Sequence, residues 1–287
     1  MQEFKVSNLK KLYIPTPSSH KGQNGKLLTI GGSRLFHAAS LWSLKVASRI
    51  VDMVFYSSVP ENNEIVARAK EEFRDGIVVK RTQIEDYINE ADCILIGPGL
   101  PRKEGQEVGD DDTKELTEGL LKKFPHKKWV IDGGSLQTID ASLIPPNAIL
   151  TPHLKEFEIL FNFKFSILNF QSNSNDQILQ IQKKVGEMAK KHNCVILLKG
   201  VKDIVCAKDK CVEIAGGNVG MTKGGTGDVL AGLVAALYCK NEAFLSACAG
   251  SYINKKAGES LAKKVGIYFN SSDLADEIPR VMKELLV

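Results

Sequence analysis

Short apolar runs alternate with helical stretches along this chain, and nearly every run stops at glycine, an acid, histidine or lysine. Lys26–Ile30 ends in Gly31-Gly32-Ser33, and Cys93–Ile96 in Gly97-Pro98-Gly99. The run 129–131 ends in Asp132-Gly133-Gly134, 148–150 in Thr151-Pro152-His153, and 194–198 in Lys199-Gly200. Unalternating apolar runs of this length suit strands covered on both faces. They predict an α/β fold, a mostly parallel central sheet flanked by helices on both faces. Further strands are expected at Met53–Ser57 and 77–79, with a hairpin formed by 204–207 and 211–214. Helices are expected at 38–51, 82–89, 112–124, from His153 to Phe161 and at 176–192, with three more closing the chain. Ligands of open α/β sheets bind beyond the carboxyl ends of the strands, so the punctuating residues should line one crevice.

At 287 residues, 43% hydrophobic and 25% charged, the chain reads as one α/β domain over 1–287. The net charge of +4 is small, and Lys183-Lys184 and Lys190-Lys191 fall on the wet side of a helix and not in a nucleic-acid patch. No run approaches the ~20 apolar residues of a membrane span, and the N-terminus has no apolar signal core, so a cytoplasmic protein without membrane or nucleic-acid partners is expected. Six cysteines, none in a Cys-x-x-Cys, read as buried thiols of a reduced compartment, and five histidines without paired spacing show no metal site. The Asn-, Phe- and Ser-rich stretch 162–175 reads as a surface loop.

The chemistry is concentrated in Gly216-Gly217-Asn218-Val219-Gly220-Met221-Thr222-Lys223-Gly224-Gly225-Thr226-Gly227-Asp228, which runs straight into an apolar helix. A glycine turn opening a helix leaves backbone N–H groups at the positive end of the helix dipole, which is an anion site. A carboxylate there repels a bound phosphate, so Asp228 has a task, and accepting a proton from a hydroxyl that attacks a phosphoryl group is the obvious one. A plain capped helix is the alternative. No Gly-x-x-x-x-Gly-Lys-Ser/Thr is present, and Gly97-Pro98-Gly99-Leu100-Pro101-Arg102 lacks the third glycine of a dinucleotide fingerprint.

Gly224-Gly225-Thr226-Gly227-Asp228 before an Ala/Gly-rich helix resembles the anion hole of the ribokinase-like superfamily. Lys21-Gly22-Gln23-Asn24-Gly25-Lys26, Gly31-Gly32-Ser33, Gly97-Pro98-Gly99, Thr151-Pro152-His153-x-x-Glu156-Phe157, Lys199-Gly200 and Asn218-Val219-Gly220-Met221 follow in the order of the NAD(P)H-hydrate dehydratase family. The resemblance runs from about Ser19 to Ala262. It implies an enzyme that phosphorylates the C6 hydroxyl of hydrated NADH or NADPH with ADP or ATP and magnesium, after which phosphate leaves and the ring double bond returns. It further implies a homo-oligomer, a tetramer, and leaves no room for the N-terminal epimerase domain that many relatives carry.

By the same resemblance Asp228 is the catalytic base, and the N–H groups of Gly225, Thr226 and Gly227 hold the transferring phosphoryl. Lys199, Gly200, Asn218, Gly220, Met221 and Gly224–Gly227 form the adenine-nucleotide site, while Ala39, Gly99, His153 and Asp228 contact the hydrated dinucleotide. His153 has a helix-capping alternative. Asp132 either reaches magnesium through water or caps the turn that follows it. Two departures from the family pattern touch the substrate side, Ala38 in place of a glycine and Pro101 in place of another. The rival readings are a small-alcohol kinase of hydroxymethylpyrimidine or hydroxyethylthiazole type and a non-catalytic nucleotide sensor.

Overall fold

The computed structural model describes residues 2–69, 75–165 and 175–286. Its strands are β1 (Lys26–Ile30), β2 (Met53–Ser57), β3 (Ile77–Val78), β4 (Cys93–Ile96), β5 (Lys128–Ile131), β6 (Ile149–Leu150), β7 (Val195–Leu198), β8 (Asp203–Ala207) and β9 (Lys210–Ile214). They form one sheet in the order β3-β2-β1-β4-β5-β6-β7-β8-β9. Every pairing from β3 to β7 is parallel, and β8 and β9 close that edge as an antiparallel hairpin. The chain winds outward from β1 in one direction and from β4 in the other. The gap beyond the carboxyl ends of β1 and β4 is therefore the topological switch point.

Both faces are dry. Ile94, Ile96, Trp129 and Ile131 point into one core, while Cys93, Leu95 and Val130 point into the other. That period of two across an unbroken apolar run is why the sequence shows no polar alternation. The helices are α1 (Ala38–Ala47), α2 (Pro60–Ala69), α3 (Ile84–Glu90), α4 (Thr113–Lys123), α5 (Gly133–Thr138), α6 (Leu154–Leu160), α7 (Asn175–Lys191), α8 (Thr226–Lys240), α9 (Ala243–Val265) and α10 (Ser271–Leu286). Helix α8 is buried nearly all round, between the sheet, α1 and α9, which matches its continuous apolar sequence. Its Gly232 lets the backbone of Ser43 in α1 approach closely, and a Cβ there would collide with Ser43.

The strands expected from sequence are all present. Two helices were not foreseen. Helix α2 buries only Asn62 and Val66, too few for an apolar stripe, and α5 starts on the glycines read as a turn. Of the stretch read as a surface loop, residues 166–174 lie outside the described residues. The cysteine reading needs correction: Cys206 and Cys211 are disulfide-bonded, because the β8–β9 hairpin sets them directly opposite each other. Cys93, Cys194, Cys239 and Cys248 are buried free thiols.

Candidate active site

Four segments meet beyond the sheet: the ends of β5, β6 and β7 and the first turn of α8. Asp132, immediately after β5, accepts at Oδ1 from Thr151 Oγ1 at 2.7 Å and pairs there with Lys199 Nζ at 2.9 Å. Asp132 makes no capping bond to α5, so the turn-capping alternative is not what this carboxylate does. Lys199 Nζ also lies 3.7 Å from Glu156 Oε2, and a Cβ on Gly227 would stand 3.4 Å from the same ammonium. The ammonium thus sits between two buried carboxylates and the amino end of α8. Burial by itself would lower the Lys199 pKa, but the fields of Asp132 and Glu156 outweigh it and push it up. Lys199 stays charged.

Glu156 and His153 form a reciprocal cap at the start of α6. Glu156 N–H donates to His153 Nδ1 at 3.2 Å, and His153 N–H donates to Glu156 Oε2 at 2.8 Å. Burial, with the Lys199 charge next, lowers the His153 pKa and keeps Nδ1 able to accept. The ring is still half exposed. Burial raises the Glu156 pKa, with Lys199 opposing. In the sequence Glu156 stands out only as part of a motif and not as a site residue. Its signal was the Thr-Pro-His-x-x-Glu spacing, which is also that of an N-terminal capping box.

Asp228 is in the first turn of α8, partly buried, and its carbonyl accepts from Ser43 Oγ of α1 at 2.8 Å. Burial first, then the carboxylate of Asp132, against the pull of Lys199, push its pKa up to about 7. A carboxyl poised there exchanges protons near neutrality. Gly225 has φ +94°, the left-handed conformation that favours glycine, and a Cβ on it would overlap the Trp42 ring. Among the described residues the N–H groups of Gly225 and Gly227 donate to no acceptor, whereas Thr226 N–H turns back 3.4 Å to Lys223 O. The anion hole thus offers two unspent donors among the three residues expected to supply them. Thr226 Oγ1 is also spent locally, donating to the carbonyls of Met221 and Lys223.

A cavity of about 640 Å³ opens beside this cluster, and its wall includes His153, Lys199, Gly200, Asn218, Met221, Thr226 and Gly227. Gly220, Gly224, Gly225, Asp228, Ala39 and Gly99 are not in that wall. Gly220 is packed on Phe269 and donates to Asn218 Oδ1 at 2.8 Å, and Asn218 Nδ2 donates to Gly258 O at 2.7 Å, so these two shape the loop. Gly224 O accepts from Ser271 Oγ. Ala39 and Gly99 meet at the β1/β4 switch point, where a Cβ on Gly99 would stand 3.1 Å from that of Ala39. A second groove, about 840 Å³, runs past Pro101, Arg102 and Gln137, and Gln137 hydrogen-bonds Glu156. The two openings therefore flank the Glu156–Lys199–Asp132 cluster.

Asn254, Lys255 and Asp203 also line the smaller cavity, and sequence reasoning singled out none of them. Asn254 Oδ1 is buried with no partner among the described residues. Among the described residues, no three His, Cys, Asp or Glu side chains converge to hold a metal ion by themselves, and no helix is long and apolar enough to cross a membrane.

The NAD(P)H-hydrate dehydratase family model matches residues 27–280. The bifunctional NAD(P)H-hydrate repair enzyme Nnr of Methanocaldococcus jannaschii is 35% identical over 285 residues, covering 96% of this chain and 52% of that protein. The chain thus spans about half the length of that bifunctional relative. The ADP-dependent (S)-NAD(P)H-hydrate dehydratase of Nitrosopumilus maritimus is 34% identical over 288 residues, covering 96% of this chain and 95% of that one. The Bacillus subtilis ADP/ATP-dependent NAD(P)H-hydrate dehydratase, co-crystallised with ATP and Mg2+, superposes with a TM-score of 0.78 at 20% identity, covering 99% and 98% of the two chains. That likeness shows the fold, which is ribokinase-like. The chain belongs to the NAD(P)H-hydrate dehydratase family.

Proposed function

We propose that the protein dehydrates hydrated NADH and NADPH, with ADP as the phosphoryl donor ahead of ATP. The observation that carries this reading is Asp228, a carboxyl pushed up to about 7 at the mouth of an anion hole, within the field of Lys199. A sensor needs no such base. Asp228 takes the proton of the C6 hydroxyl as its oxygen attacks the terminal phosphorus of the nucleotide, and the P–O bond to the nucleotide breaks. Gly225 and Gly227 N–H, with Lys199, hold the charge that grows on the transferring group. The ring-nitrogen lone pair then expels phosphate from C6, and loss of a C5 proton restores the C5–C6 double bond. Hydroxide leaves poorly and phosphate leaves well, which is why the phosphoryl step precedes elimination.

Magnesium fits the acidic residues in a limited way. Both hydrogen bonds of the Asp132 carboxylate among the described residues fall on Oδ1, so Asp132, with Glu156 nearby, would hold the ion through water beside the nucleotide phosphates, where it would supply charge neutralisation. On the substrate side the family resemblance assigns His153, Ala39 and Gly99 to the hydrated dinucleotide, with Asp228 at its C6 hydroxyl. The family resemblance also supports a cytosolic homo-oligomer, tetrameric, which light scattering on the purified protein checks.

The deciding assay incubates the protein with hydrated NADH or NADPH, magnesium, and ADP or ATP. Return of the reduced-nicotinamide absorbance with release of free phosphate is the expected result. A stable phosphorylated thiazole or pyrimidine alcohol, with no hydrate turnover, would overturn it in favour of a kinase.

A further inference from the structure

Helix α9 reaches the 640 Å³ cavity through Asn254 and Lys255, and Ser251, Lys255, Gly258 and Glu259 are spaced to share a side of the helix. Lys255 is 6% exposed, and its ammonium is held almost wholly by main-chain oxygens. Nζ lies 3.2 Å from Gly200 O, 3.1 Å from Val201 O and 3.5 Å from Gly216 O, and 3.3 Å from Asp203 Oδ1. Asp203 is itself fully engaged: Oδ1 accepts from Gly200 N–H at 2.9 Å and Oδ2 from Ser251 Oγ at 2.7 Å. Three carbonyls and a carboxylate around a compact charge are the ligand set of a hard cation, and a lysine carries such a charge with three donors and no acceptor.

The carbonyls belong to two loops that flank the β8–β9 hairpin at its open end, both in the wall of the cavity. Gly200 and Val201 follow β7, and Gly216 follows β9 and leads into the anion-hole loop. No hydrogen bond runs directly between these two turns among the described residues; the ammonium and Glu259, which accepts from Gly217 N–H at 3.1 Å, join them to α9. Each carbonyl drawn to Nζ is a negative dipole end kept away from an anionic ligand, and each planar peptide turns its N–H the opposite way. Removing the ammonium would leave those oxygens and a buried carboxylate without a partner, and would free the two turns to shift where they extend past the Asp203–Ile214 pair that ends the β8–β9 ladder.

We propose that Lys255 is a positioning residue of the nucleotide site, its ammonium serving as a built-in monovalent cation that clamps the Gly200–Val201 turn to the Gly216 loop. This rests on the cavity being the adenine-nucleotide site. ADP and ATP binding, measured by calorimetry without any hydrated substrate, tests it in tetramethylammonium chloride and again in ammonium chloride. The unaltered protein should bind alike in both salts. Lys255→Ala should bind at least about tenfold more weakly in tetramethylammonium, the size expected on losing hydrogen bonds to a charged group. Ammonium, small enough to enter the emptied cage, should recover most of that loss, which a merely structural lysine would not permit.

Binding by Lys255→Ala equal to that of the unaltered protein overturns the proposal, as does a loss of the same size in both salts. If Lys255→Ala does not fold, the unaltered protein still decides, because affinity that changes severalfold between the salts would mean the cage is not filled by Lys255. Failure of the unaltered protein to bind either nucleotide in any salt would instead remove the nucleotide-site reading on which the proposal rests.

Discussion

Lys199 Nζ and Asp132 Oδ1 stand 2.9 Å apart although 67 residues separate them in the chain. Parallel strands place them so: each follows its strand by one residue, on the carboxyl edge of one sheet. Their exposures are 19% and 3%, so the pair is largely removed from solvent. Lys199→Met should therefore be costly, because it leaves Asp132 and Glu156 buried without a counter-charge. A loss of about 3–5 kcal/mol is the range for breaking a buried pair. Urea unfolding at pH 7 measures it, and the loss should shrink toward pH 5 as the stranded carboxyls take up protons.

Asp228→Asn keeps the shape and removes the proton acceptor. Turnover should fall ~10²–10⁴-fold with nucleotide affinity kept or slightly improved. In the unaltered protein kcat/KM should drop as pH falls below about 7, where Asp228 becomes protonated. Near-normal turnover by the variant would remove Asp228 from the mechanism.

The same carboxyl makes a stability prediction of definite sign. Its folded pKa is raised from 3.8 to about 7, so between those values the folded chain holds a proton that the unfolded chain has lost. Its contribution to stability therefore declines as pH rises through that window. Asp228→Asn escapes the decline, and its melting temperature should exceed that of the unaltered protein by about 2 °C or more at pH 8, with the gap closing at pH 4. Thermal melts at the two pH values check it.

Gly227 and Gly225 are unequal tests of the anion hole. Any side chain on Gly225 meets Trp42 and Ser271, so Gly225→Val should disturb the contacts of α1 and α10 as well as the loop. Gly227→Ala adds a methyl facing only Lys199 Nζ, within ordinary van der Waals contact. It should fold normally and weaken ADP binding by crowding the donors and the ammonium. Unchanged ADP affinity, by calorimetry, would put the phosphate elsewhere.

His153 combines two roles that substitution can separate. His153→Ala loses the cap of α6 and should cost about 1 kcal/mol, while His153→Asn restores a capping acceptor. The half-exposed ring is lost in both, so KM for the hydrated dinucleotide should stay raised in both while thermal stability recovers only in the asparagine variant.

The strand runs and their terminal glycines were legible because a strand covered on both faces needs an unbroken apolar sequence. The Gly225–Asp228 turn was legible because only glycine takes the conformation at Gly225 and because the site lies within one short segment. Sequence also marked Lys199, Asp132 and His153 as strand-end residues, but it left Asp132 between two roles. Pairing across 67 residues decided that it holds Lys199 and not the following turn. Glu156 carried only the signal of a capping box, and Asp203 and Lys255 carried none, since an acid at a strand start and a lysine on a helix read as solvated charge. What buried them was packing: α9 laid against β7 and β8, and α6 packed on α5. The cysteines make the same point, because nothing local distinguishes Cys206 and Cys211 until the hairpin register sets them face to face. Periodicity and turn chemistry act over a few residues and are written in the chain, whereas the partner of a buried charge is chosen by the topology that brings distant segments together.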